Sequence, residues 1–258
     1  MLLSITEWNG RLGNNIYQLQ NIISVGLYYK YNIKIIKHHY FLDQYILINK
    51  DNDDSKVYID RVGHNFYYPN KVKGFCKNAF NMDKNQINEI IIKLFKYKYY
   101  DLEKLDINDV VLHIRSGDLF EKNPHPNYIL PPLSYYESIL KSNKYNKIYL
   151  ISEDKNNPCI NILLDKYKNI IYNNNSLDID VQLILKAQNI ICSYGTFIPA
   201  LTNLTKYTKK IYITKHDYID LLNKNIVLNI IDCNDYVKKM GKWKKNNEQI
   251  KLILNYKL

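Results

Sequence analysis

Between residues 109 and 214, short runs rich in valine and isoleucine alternate with stretches whose apolar residues recur every three or four positions. The apolar runs are 109–115, 147–153, 169–172, 189–193 and 210–214. Between them, 133–141, 160–167 and 178–188 read as helices, and a shorter helix follows Phe197. Strands separated by helices cannot close as hairpins, so they line up in a parallel sheet covered on both faces. The amino-terminal part repeats this pattern once. Residues 2–8 read as a strand, Asn9-Gly10-Arg11-Leu12-Gly13-Asn14-Asn15 as a glycine-punctuated loop, 16–29 as an amphipathic helix and 32–37 as a second strand. Residues 38–85 are irregular, and their polar stretch 50–55 fits no calcium-loop spacing and reads as a solvated turn. Ile87, Ile90, Ile91, Leu94 and Phe95 fall on one face of a helix over 86–99, and 102–109 reads as a linker. The expected architecture is α/β, with two facing Rossmann-like domains built on parallel sheets. They would occupy 1–105 and 106–240, and a terminal helix within 241–258 would pack back on the first domain.

The net charge of +11 invites a nucleic-acid partner. Lysine, asparagine, isoleucine and tyrosine are all abundant, with 25 tyrosines alone, as AT-rich coding produces, and the lysines are spread thinly. No specific nucleic-acid partner is therefore expected. The exception is the basic run from Lys238 to Lys245, which reads as a solvated surface or as a peripheral contact with anionic lipid or glycan. The 46% hydrophobic content excludes a disordered chain. No stretch reaches the ~20 apolar residues of a membrane span. The start, Met-Leu-Leu-Ser-Ile-Thr-Glu-Trp, has neither a basic n-region nor a small-residue cleavage site, so a cytoplasmic protein is expected. Cys76, Cys159, Cys192 and Cys233 form no CxxC pair, which argues against zinc and against a disulfide framework. Cys192, inside an apolar run, reads as a small core residue. Sequons at Asn174 and Asn203 read as chance in an asparagine-rich chain.

The run 109–118, Asp-Val-Val-Leu-His-Ile-Arg-Ser-Gly-Asp, is a buried strand ending in a basic residue and a tight turn. Ligands of open α/β sheets collect at the carboxyl ends of strands, so His113, Arg115 and Asp118 stand where a substrate is expected. An arginine there offers a fixed fork of donors to a phosphate or carboxylate; equally, an Arg–Asp pair pins a turn. His113 reads either as a ligand contact or as a core histidine bonded to backbone. Strand, glycine loop and helix over 2–29 likewise present free N–H groups to phosphate or sugar, although the spacing lacks the lysine of a P-loop. His125, in a proline-rich loop, reads as a loop residue without chemistry.

Three segments together resemble the fucosyltransferase superfamily that includes the α-1,2-, α-1,6- and protein O-fucosyltransferases. Gly10-Arg11-Leu12-Gly13-Asn14-Asn15 is similar to its GxxGNQ loop, with Asn15 in place of glutamine, and His113-Ile114-Arg115-Ser116-Gly117-Asp118 is similar to its HxRxxD signature. The stretch 178–201 resembles the helix, strand and Ser/Thr-rich turn near the end of the donor domain. The strand ending in Ser152-Glu153-Asp154 is similar to one that ends in two acidic residues. The resemblance covers roughly 2–29 and 110–204.

That resemblance implies a GT-B-like, inverting enzyme whose second half binds GDP-fucose as donor and whose acceptor is a hydroxyl of a glycan or glycoprotein. Arg115 would grip the donor diphosphate, and His113 and Asp180 would meet the guanine and its ribose. Ser193, Gly195, Thr196 and Phe197 match the turn on the phosphates, and Gly13 and Asn14 would come from the first half. Breaking a sugar–phosphate bond builds negative charge on the leaving diphosphate and positive character on the sugar, so a fixed cation and nearby carboxylates suit the chemistry. Asp118, Glu121, Glu153 and Asp154 compete for the role of base. Asp178-Ile179-Asp180 has the D-x-D form of metal-dependent transferases, but its place at a helix start favours capping, and no metal or other cofactor is expected. Ser116 stands where several of these families carry a second arginine. The alternatives are a transferase using another nucleotide sugar, and a non-catalytic module that binds glycan or nucleic acid.

Overall fold

The computed structural model describes residues 1–43, 47–48, 57–59, 66–172, 175–215 and 226–258. The turn expected at 50–55 and the sequon at Asn174 lie outside the described residues. The chain divides into two compact units, Met1–Asp101 with Pro199–Leu204, and Leu102–Ile198 with Thr205–Leu258.

The first unit runs β1 (Leu2–Ile5), α1 (Leu12–Tyr29), β2 (Asn32–Ile35), β3 (Leu47–Ile48), β4 (Val57–Ile59) and α2 (Lys84–Leu94). β2 and β4 flank β1 and run parallel to it, which makes β1–α1–β2 the expected βαβ unit. The sheet is not wholly parallel, because β3 pairs antiparallel with β2 at its edge. α1 starts at Leu12 rather than Ile16. Arg11 is extended (φ −105°, ψ 178°) and Gly10 makes the turn (φ 70°), so Gly13 and Asn14 form the first helical turn rather than a loop. α2 begins where the Asp83 carboxylate accepts the Asn85 N–H at 2.9 Å, as capping residues do.

The second unit runs β5 (Val110–His113), α3 (Leu133–Ser142), β6 (Ile148–Ile151), α4 (Pro158–Lys166), β7 (Ile170–Ile171), α5 (Leu177–Lys186), β8 (Asn189–Ile191), α6 (Phe197–Thr202), β9 (Lys210–Thr214), β10 (Val227–Ile231), α7 (Asn234–Met240) and α8 (Asn247–Asn255), with α6 straddling the division. Its six strands are all parallel, in the order β10-β9-β8-β5-β6-β7. Counted from β5, that is the doubly wound order 3-2-1-4-5-6. The chain first winds outward from β5 through β6 and β7, then crosses back to β8 and winds the other way. Parallel strands covered on both faces read as unbroken apolar runs, and β5 is buried at every position.

The core of this unit also takes in Tyr135, Tyr236 and Trp243. The Tyr135 hydroxyl donates to the Cys192 and Tyr212 carbonyls at 3.0 and 2.8 Å, so the ring is buried without stranding its polar end. β10 and α7 have no clear sequence pattern, since Val227 and Ile230 face outward on an edge strand. The terminal helix α8 does not take the expected place on the first domain; it packs on α3 and α4, with Ile253 in the second unit's core. Its apolar stripe required a partner, and the helix pair beside it in the same unit supplies one. All four cysteines are free, and Cys192 is buried as expected of a core residue. Among the described residues, no helix is long and apolar enough to cross a membrane.

Truncating a fully buried isoleucine leaves a cavity worth about 2–5 kcal/mol. Ile253→Ala is therefore expected to lower the unfolding free energy of the second unit by that amount. The measurement is a urea titration of a Trp8→Phe background, with Trp243 emission as the reporter. A loss below about 0.5 kcal/mol, as a surface substitution gives, would show that α8 does not belong to this core.

Candidate functional site

In the second unit the topological switch point falls between β5 and β8, the strands from which the two windings diverge. Two of the sequence-predicted segments leave the sheet there. One more rung extends the β5–β6 ladder, from Ile114 N–H to the Ile151 carbonyl at 3.0 Å, and the chain then turns at Arg115. Beyond β8, the Cys192 N–H still bonds to the Tyr212 carbonyl at 2.9 Å, and the chain turns at Ser193.

The Arg115 side chain is only 11% exposed. Its Nη2 donates to both carboxylate oxygens of Asp118, each at 3.0 Å. Nε lies 3.9 Å from Glu153 Oε1, and the guanidinium carbon stands 5.5 Å from the centre of the Tyr128 ring. Nη1 points toward the β8 loop, 3.6 Å from where a side chain on Gly195 would begin. The guanidinium is thus held from three directions with one nitrogen aimed at Gly195.

The loops after β5 and β6 are joined by a dense polar network. Ser116 Oγ donates to Asp154 and accepts the Asn157 N–H at 3.0 Å. The Asn157 amide donates to the Arg115 carbonyl at 2.9 Å, while its oxygen caps α4 through the Cys159 N–H at 3.0 Å. Ser152 Oγ donates to the Ile114 carbonyl at 2.7 Å. Asp154 also accepts from the Asn156 N–H at 2.9 Å, the Asn156 amide at 2.7 Å and the Gly117 N–H at 3.4 Å. Burial acts to raise the Asp154 pKa, but the Ser116 hydroxyl and these N–H donors outweigh it and hold the carboxyl below its usual range. Asp154 is therefore a structural weld. Glu153 differs: its carboxylate lies over the Cα of Gly117, where any side chain would collide with it, and Gly117 has φ 56°, a left-handed conformation that suits glycine.

His113 is buried, with its ring centre 5.9 Å from that of Phe197. Burial, then the charge of Arg115, pushes its pKa down to about 3, so the imidazole is neutral at physiological pH. Three buried polar atoms at these adjoining strand ends have no hydrogen-bond partner among the described residues: His113 Nδ1, Arg115 Nε and Ser193 Oγ. A turn that Arg115 and Asp118 merely pinned would leave no reason for such a set.

Asp180 does not cap α5, and neither does Asp178. Ser176 occupies the cap position, and the helix ends at Lys186, two residues earlier than expected. Burial raises the Asp180 pKa to about 7 against an opposing hydrogen bond from Asn175. Helical residues two apart do not face each other, so Asp178 and Asp180 are poorly placed to share one ion. Among the described residues, no group of three or more His, Cys, Asp or Glu side chains could hold a metal ion. Glu121 is exposed just beyond the short turn Gly117–Phe120. Thr196 and Phe197 are half-buried in the β8 loop.

Gly13 and Asn14 belong to the first unit, where the Asn14 amide packs against Gly10. Asn15 braces the same loop: its amide donates to the Asn9 carbonyl at 3.0 Å and to Gln18 at 3.3 Å. The Phe41 N–H donates to His39 Nδ1 at 3.2 Å, so Nε2 carries the proton that Asn15 Oδ1 accepts at 3.1 Å. Burial and then the charge of His38 lower the His39 pKa to about 4.

Tyr128 and Tyr194, which the sequence does not single out, shape this region together with His125, which it reads only as a loop residue. His125, Tyr128 and Tyr194 meet edge to face, with ring centres 5.0 and 5.1 Å apart, and carry this aromatic row to Arg115. They lie on loops without periodicity, so no pattern announces them. Asn157 was legible, because Asn followed by Pro is a helix-start signal. The basic run from Lys238 to Lys245 is not a simple solvated surface: Met240 and Trp243 within it are buried. Compared with protein-family models, curated proteins and solved structures, the chain gives no significant match.

His113 and Asp180 pull stability in opposite directions. His113 has its folded pKa depressed, so its contribution is complete above about pH 6.5 and is lost as pH falls toward about 3. Asp180 has its folded pKa raised, so its contribution is complete below about pH 4 and is lost as pH rises toward about 7. Asp180→Asn removes the second loss, up to about 1.4 kcal/mol per pH unit across that window. Urea midpoints are expected to be nearly equal for the two proteins at pH 4 and clearly higher for the variant at pH 8; equal midpoints at pH 8 would refute the burial of Asp180.

Proposed function

We propose that the chain is an inverting, metal-independent glycosyltransferase of the GT-B type, which transfers fucose from GDP-fucose to a hydroxyl of a glycan or glycopeptide. The observation that carries this reading is the switch-point cluster. A nearly buried guanidinium directs Nη1 at Gly195, while His113 Nδ1, its own Nε and Ser193 Oγ lie buried without a hydrogen-bond partner among the described residues. Groups of that kind, at the carboxyl ends of diverging parallel strands, suit a nucleotide diphosphate.

On this reading Arg115 stabilises the charge that builds on the leaving diphosphate, and Asp118 keeps the guanidinium in place. Neutral His113 and half-buried Asp180 meet the guanosine, and Ser193 to Phe197 line the phosphates. Of the four carboxylates, Asp118 is engaged by Arg115, and Asp154 is engaged by donors that hold its pKa below the usual range, which makes Asp154 a weak base. Glu121 is exposed, and Glu153 stands over Gly117 with Oε1 3.9 Å from Arg115 Nε. Glu153 takes the acceptor proton.

Thermal-shift screening is expected to show stabilisation by GDP in preference to UDP and CDP. Arg115→Ala should remove that stabilisation and slow GDP-fucose turnover by about 100–1000-fold. Glu153→Gln should retain GDP binding and lose turnover, and EDTA should change neither. A wild-type protein that ignores every nucleotide but binds oligonucleotides with a steep salt dependence would overturn the enzyme reading.

A further inference from the structure

We infer that the carboxy-terminal segment 236–249 is a strap that positions the Arg115 loop, with Trp243 as its anchoring residue; the functional part of this inference rests on Arg115 gripping a diphosphate. Between β5 and α3 the chain has no regular structure beyond the turn Gly117–Phe120. Backbone carbonyls there have no ladder or helix to bond them, and buried ones need partners from elsewhere.

The strap supplies four. Trp243 Nε1–H donates to the Leu119 carbonyl at 2.8 Å, and the Trp243 backbone N–H donates to the Pro126 carbonyl at 2.8 Å. Lys245 Nζ donates to the Phe120 carbonyl, and the Tyr236 hydroxyl to the Leu130 carbonyl at 2.7 Å. Trp243 is 1% exposed, and its ring meets Phe120 edge to face at 5.7 Å. The strap is itself held rigid by Gln249, whose amide donates to the Met240 and Lys242 carbonyls at 2.9 and 2.8 Å, and whose oxygen accepts the Lys244 N–H at 2.8 Å.

The anchor points bracket the residues that hold the guanidinium. Asp118 immediately precedes the anchored Leu119, and Tyr128 lies between the anchored Pro126 and Leu130. Displacing the anchors shifts two of the groups that orient Arg115. Trp243 is therefore a positioning residue, acting through the loop. It also explains a tryptophan buried amid lysines, an arrangement that a plain solvated run has no use for.

The test compares wild type with Trp243→Phe, which keeps an aromatic ring but removes the indole donor to Leu119, and with Lys245→Met, an exposed substitution that leaves the core intact. Hydrogen exchange of the ligand-free proteins should accelerate over 117–128, while the amides of β5, β6 and β8 keep their protection. Titration with GDP and with guanosine should show the GDP-to-guanosine affinity ratio falling about tenfold in Trp243→Phe and less in Lys245→Met, because only the diphosphate reports on Arg115. Exchange that rises equally across the strands, or the two affinities falling in parallel, would make Trp243 an ordinary core residue and sink the inference. If wild type binds neither GDP nor guanosine, the nucleotide reading falls while the exchange pattern still decides whether the strap sets the loop.

Discussion

A guanidinium at the carboxyl edge of a strand buried on both faces must have its charge answered locally, and the loop after β5 is built around that requirement. Arg115 follows four fully buried strand residues by only two positions, so it cannot swing wholly into solvent. Asp118 answers it from three residues further on, which closes the chain into the turn Gly117–Phe120. Closing that tightly puts Gly117 in a left-handed conformation and brings its Cα under the Glu153 carboxylate. The cation thus dictates a glycine, an acid on the neighbouring strand end and the course of the following loop. Leaving a buried charge unpartnered is strongly destabilising, which is why these features occur together.

Adjacent acids at the end of β6 take opposite parts in this arrangement. Asp154 is bonded by Ser116, Asn156 and Gly117, and with Asn157 it welds the β5 and β6 loops before α4 begins. Glu153, its neighbour, is 39% exposed and lies 3.9 Å from Arg115 Nε. Chemical identity does not separate the two; position does, since Asp154 reaches Ser116 and the Gly117 N–H while the Glu153 carboxylate lies over the Gly117 Cα beside Arg115. A carboxylate saturated by donors is a rigid strut.

The parallel core was legible because strands covered on both faces cannot alternate polar and apolar residues. Val110 to Ile114 and Lys210 to Thr214 therefore stood out directly, and the second unit's doubly wound sheet follows the alternation that they belong to. The placement of Arg115 and Ser193 at strand ends follows from the same pattern. What escaped is set by long-range geometry. Arg11 is no recognisable cap, so α1 was placed four residues late; the edge strand β10 carries no buried run; and the amphipathic stripe of α8 shows that it must pack without naming the surface. Trp243 was hidden for the opposite reason, because its lysine neighbours speak for solvent while its own ring and both its N–H groups are engaged. The aromatic row beside Arg115 comes from two loops more than sixty residues apart in sequence, a distance that no local pattern spans.

Ser116 sharpens what a single cation has to do. It stands where members of the resembled families often carry a second arginine, yet here it is fully buried between Asp154 and Asn157, with no room facing outward. On the proposed reading, diphosphate charge at this strand end would fall on Arg115, which already has two carboxylates beside it. An incoming phosphate oxygen must compete with one of them. Asp118 holds at 3.0 Å through both oxygens and Glu153 lies at 3.9 Å, so on the proposed reading Glu153 would be the one to give up the guanidinium. In the proposed reaction that exchange has a chemical result. Parting from the guanidinium would let the Glu153 carboxylate turn toward the acceptor hydroxyl whose proton it takes.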